Sequence, residues 1–144
     1  MSKTTTFEND IQQLIFNNVD ISNLGDASGV QGSTSAGSLY IALFSADPGE
    51  AGVQTNEATF GAYARQAVAR TVGGWTVSAD TVSNAAEISF PEATSGTQTI
   101  THFGIMDSLT SGTMLYHGSL TTPREVSTGV TLKFSVGTLT VTEQ

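Results

Sequence analysis

Apolar and polar positions follow two different rhythms along this chain. In residues 5–18 the spacing is helical. Phe7, Ile11, Leu14 and Ile15 form one apolar stripe, Thr5 and Glu8 have the separation of a capping box, and Asn17-Asn18 supplies a stop that tolerates the left-handed conformation. This predicts a short amphipathic helix. Residues 22–38 are rich in Gly, Ser, Thr and Asp, have no period, and read as a flexible loop or arm.

From Leu39 onward the rhythm is that of strands. Leu39–Phe44 is an unbroken apolar run between Gly37 and Asp47-Pro48-Gly49, the pattern of a strand buried on both faces. Tyr63–Thr71 predicts a second strand. Gly73-Gly74 predicts a hairpin turn into Trp75–Ser78, and Ile88 and Phe90 alternate before Pro91. Thr97–Met106 is the other strong strand, returning over Thr113–Leu120 until Thr122-Pro123 breaks it. Val130, Leu132, Phe134 and Val136 alternate with polar residues, and Leu139 and Val141 extend that pattern. Short strands with regular turns predict an all-β fold: an antiparallel β-sandwich or barrel-like domain with a short N-terminal amphipathic helix and a flexible arm. The organisation expected is a helix and arm over 1–37 and an antiparallel β domain over 38–144.

Composition narrows the function classes. Five Lys and Arg face thirteen Asp and Glu, a net charge of −8. Lys3, Arg65, Arg70, Arg124 and Lys133 are scattered, so no basic patch offers itself to nucleic acid or to an anionic membrane. The absence of cysteine removes disulfide scaffolds, thiolate zinc sites and thiol nucleophiles. No apolar stretch is long enough to span a bilayer, and Met1–Thr6 lacks the core of a signal peptide, so a soluble protein made in the cytoplasm is expected.

Candidate chemistry is thin. No Gly-x-Ser-x-Gly elbow accompanies the many serines. His102 and His117 fall on successive strands and could be cross-strand neighbours, but no third ligand stands at a fixed spacing. Asp47, Glu50 and Glu57 surround a Pro-Gly turn without the pattern of a calcium loop. The Gly-rich segments lack a phosphate-binding lysine. Trp75 and Tyr63 would make a sugar platform if exposed, and core if buried. The expectation is no enzyme, no cofactor, no metal and no catalytic residue.

The block Leu-Tyr-Ile-Ala-Leu-Phe-Ser-Ala-Asp-Pro-Gly-Glu-Ala-Gly over 39–52 resembles the opening of a family of small phage virion proteins. The resemblance continues at Thr55-Asn56-Glu57, Tyr63-Ala64-Arg65, Val68-Ala69-Arg70-Thr71, Gly73-Gly74-Trp75, Thr101-His102-Phe103-Gly104-Ile105 and Leu115-Tyr116. Members are labelled tail-fibre proteins, and some are head decoration (cement) proteins. The resemblance implies a non-enzymatic virion structural protein. A decoration protein on the outer capsid surface is preferred, trimeric and in contact with the major capsid protein, because the chain has no repetitive shaft. A tail-fibre or tail-associated role is the alternative, and a carbohydrate-binding module ranks third. The helical stripe could pack on its own domain or reach out on the arm. In the second case Phe7, Ile11, Leu14 and Ile15 are the candidate intersubunit or capsid contacts.

Overall fold

The computed structural model describes residues 2–142. The chain is predominantly antiparallel β with one N-terminal helix, the fold class expected and in keeping with a sandwich. It forms two compact units that interleave along the sequence. The first takes residues 1–38, 68–87 and 134–144, and the second takes residues 39–67 and 88–133.

In the first unit, α1 (Thr5–Asn17) is capped one residue earlier than the spacing suggested. Thr4 is the N-cap and its hydroxyl accepts from the Phe7 N–H. That leaves Thr5 inside the first turn, so the expected Thr5–Glu8 capping box does not form. The helix ends at Asn18 in the left-handed conformation, φ 57°. Its buried line is Glu8, Gln12 and Phe16, spaced by four, with the predicted stripe on the flank. The helix packs on a three-stranded sheet ordered β3 (Trp75–Ser78), β4 (Thr81–Asn84), β9 (Thr140–Thr142). Phe16 and Trp75 are both 0% exposed and meet edge to face, centroids 4.9 Å apart. Gln12 donates to the Asp80 carbonyl. Asn84 joins this sheet's end: its side chain donates to Ala86 and Ser135 carbonyls and accepts from the Leu139 N–H.

The second unit is built on a four-stranded sheet ordered β2-β1-β6-β7, where β1 is Ser38–Phe44, β2 Gln66–Ala69, β6 Thr97–Met106 and β7 Met114–Ser127. The chain crosses between units within β2. Strand β1 is central, and Ile41–Phe44 are fully buried as their apolar run required. It pairs with β6 from Tyr40↔Met106 to Phe44↔His102. A two-stranded ladder of β5 (Ile88–Ser89) and β8 (Lys133–Phe134) completes the strands.

Two further sequence expectations are corrected. Gly73-Gly74 does not make a hairpin, because β2 and β3 lie in different sheets. Gly74 instead sits where an added Cβ would meet the Ala69 carbonyl oxygen at 2.1 Å. Thr122-Pro123 does not end a strand either. In β7, Ile100 pairs with Arg124 and His102 with Ser119, so Leu120–Pro123 bulge out opposite Thr101 and the ladder resumes beyond them. Proline is tolerated there because the bulge takes it out of the ladder on an edge strand.

Candidate functional site

The sequence blocks around residues 55–71 assemble into two arginine-centred clasps, one in each unit. In the second unit, β2 begins only at Gln66, so the end of β1 lacks a regular neighbour on that side. Loop residues substitute for it. The Ser45 N–H donates to the Asn56 carbonyl, the Ala58 N–H to the Leu43 carbonyl, and the Leu43 N–H to the Tyr63 hydroxyl. Tyr63 in turn donates to Glu57 Oε1 at 2.9 Å. Its ring stacks on Phe90 and meets Phe60 edge to face.

Arg65 organises the loops around this point. Its Nε and Nη2 form a fork on the two Glu57 oxygens, both at 2.7 Å. Nη1 donates to the Ser108 and Ser111 carbonyls at 2.8 and 2.7 Å, and Nη2 also donates to Gln54 Oε1. All five guanidinium N–H groups therefore have acceptors. Gln54 closes the ring by donating to the Gly112 carbonyl. The carboxylate fork of Glu57 holds the guanidinium above its ordinary pKa. Burial pushes the Tyr63 hydroxyl well above the usual tyrosine range, and the neighbouring Glu57 charge adds to this. The cluster is a cation, an anion and a neutral phenol, each fully committed to structural partners.

In the first unit, Arg70 reaches the open end of α1. Nε and Nη2 donate to the Ile15 and Leu14 carbonyls at 2.6 and 2.7 Å, and Nη1 to the Ala36 carbonyl. The last turn of α1 carries no basic residue of its own. Arg70 thus caps carbonyls the helix cannot satisfy and complements its dipole. Neither role was legible in the sequence, where both arginines look like scattered surface charges. The available signal was their scarcity: two of five cations lie five residues apart among small side chains.

The remaining candidates separate. Trp75 is wholly buried and Tyr63 is tied by its hydroxyl, so neither offers a stacking platform. His102 lies opposite Ser119 and His117 opposite Gly104, so the two histidines do not face each other directly. The His117 ring lies between Asp47 and Glu50, at 3.4 and 3.6 Å, with both carboxylates largely exposed. Among the described residues, no group of three or more His, Asp or Glu side chains could hold a metal ion. Phe7 is 36% exposed, and Ile11, Leu14 and Ile15 are half-buried on the flank of α1.

Comparison with protein families brings a match over residues 3–142, to the family described as podophage GP4 fiber I protein gp80. The chain belongs to this family. The match takes in both units, α1 included, and not only the region from Leu39 onward that carried the sequence resemblance. The gp80-family protein is therefore a structural protein of a bacteriophage virion. No curated protein matches the chain. Among the described residues, no helix is long and apolar enough to cross a membrane.

Proposed function

We propose that this protein is a non-enzymatic component of a podophage fibre, held in the virion by protein–protein contacts. The observation that carries this reading is the match to a fibre family along nearly the whole chain. The clasps support it, since they spend the chain's most distinctive polar residues on rigidity. Contact with neighbouring virion proteins runs through the N-terminal segment, where Phe7, Ile11, Leu14 and Ile15 flank the buried line of α1 without being sealed by it. The protein works as a homo-oligomer, with three copies the expected number.

One observation favours a second reading, a head decoration protein bound to the major capsid protein on the outer capsid surface. The chain forms two compact units whose strands run from two to fourteen residues, and the described residues contain no repeating shaft. Particles from a phage lacking the gene distinguish the two. The fibre reading expects intact heads of ordinary heat resistance that lose a fibre and adsorb poorly. Heads that open at lower temperature, with fibres in place, would transfer the protein to the capsid, because a ligand of the assembled shell stabilises it by mass action.

A further inference from the structure

We propose that the hairpin of residues 18–33, which follows α1, docks on a basic, apolar-centred protein surface of the assembled virion. This rests on the virion role above and adds a second place of contact, beyond the α1 stripe, and the chemistry of the partner. The composition of this segment would allow a loose coil, yet it is closed at every level. Ile21 and Val30 exchange both backbone hydrogen bonds at 2.9 Å. Asn18 both donates to and accepts from the Ser33 backbone at 2.7 Å. Asp20 accepts from the Gly32 N–H, and Asp26 from the Ser28 and Gly29 N–H groups. Gly29, at φ +67°, approaches so closely that an added Cβ would lie 1.9 Å from the Ile21 carbonyl oxygen.

This closed hairpin displays apolar side chains outward. Val19, Leu24 and Val30 are 48%, 46% and 40% exposed, while Ile21 is only 7% exposed. Val30 lies directly across the bridge from Ile21, Val19 stands at the entry to the hairpin, and Leu24 is near its tip. Three outward large apolar groups within twelve residues of one closed loop set it apart from turns that carry a single exposed valine, such as those at Val72 and Val136. Such a loop is preorganised for binding, because ordering it costs nothing further on association.

Charge selects the occupant. Asp20 and Asp26 sit on the hairpin itself, and the same unit carries Glu8, Asp10, Asp80 and Glu87. Its cations are Lys3 and Arg70, and Arg70 is turned inward onto α1. A second copy of the hairpin would bring the same negative field and be repelled. A surface rimmed with Lys and Arg complements it and is steered toward it.

The test uses purified full-length protein and particles from a phage lacking the gene, with rebinding followed by co-sedimentation. Val19→Ser/Leu24→Ser/Val30→Ser together should weaken rebinding by at least about tenfold. Asp20→Asn/Asp26→Asn keeps the capping oxygens and removes the charge, so it should rebind more weakly at low salt and like the parent at high salt. Val72→Ser/Val136→Ser, in other exposed turns, should change nothing. Leu24→Ser alone, near the tip, keeps the test readable if the triple variant melts early. Unchanged rebinding by the triple and Leu24 variants overturns the hairpin as the docking surface. Rebinding by the Asn variant that equals or exceeds the parent's at low salt overturns the basic partner. If the parent itself fails to rebind, the contact role proposed above fails and takes the proposal with it, a result distinct from loss confined to the hairpin variants.

Discussion

Arg65 shows how much of this protein's order rests on single side chains. Its charge is buried, with 4% side-chain exposure, and balanced by Glu57 through a two-point fork. Removing one member of a buried pair leaves the other charge without compensation, which costs about 3–5 kcal/mol. Glu57→Ala should therefore lower stability by about that amount in chemical denaturation. A loss below about 1 kcal/mol would mean the fork is an ordinary surface pair. Tyr63 adds a pH signature. Its folded pKa is raised by burial, so the neutral phenol's contribution is complete below the ordinary tyrosine value of about 10. Above that value the unfolded chain releases the proton first, and the contribution is lost as pH rises. The gap in melting temperature between the parent and Tyr63→Phe should narrow above pH of about 10. A gap that stays constant would contradict the account. None of this was legible beforehand. The residues stood out as a block, but the acceptors for Arg65 are backbone carbonyls of Ser108 and Ser111, 43 and 46 positions away, and a carbonyl leaves no mark in sequence.

Elements were legible where burial alone decides them. The Leu39–Phe44 run became the central strand, and the limits of β6 match those read from its alternation. Elements set by local geometry were not. The β3–β4 turn runs through Ala79 at φ 56°, a conformation alanine rarely adopts, so composition gives no turn signal there. The β2–β3 connection carries two glycines but passes between sheets. For α1, the stripe gave the helix but not its buried side. The pairing of Phe16 with Trp75 and the grip of Arg70 select the Glu8–Gln12–Phe16 line, and both partners lie more than fifty residues away. This predicts that α1 contributes to the stability of its own unit. Phe16→Ala should cost about 3–5 kcal/mol, the usual range for emptying a large aromatic site, seen as a lower midpoint in denaturant. An unchanged midpoint would mean the helix is a detached arm.

At the scale of the whole molecule, an acidic, cysteine-free chain spends two of its five cations on internal clasps and leaves its surroundings strongly negative. Its place among gp80-family fibre proteins fits a rigid part that acts by being held in position. The most direct test of that account is cryo-electron microscopy of virions carrying a small tag on this protein. The fibre account predicts tag density on fibres of the tail apparatus and none on the capsid lattice. Density distributed over the capsid surface, with the tail bare, would contradict it.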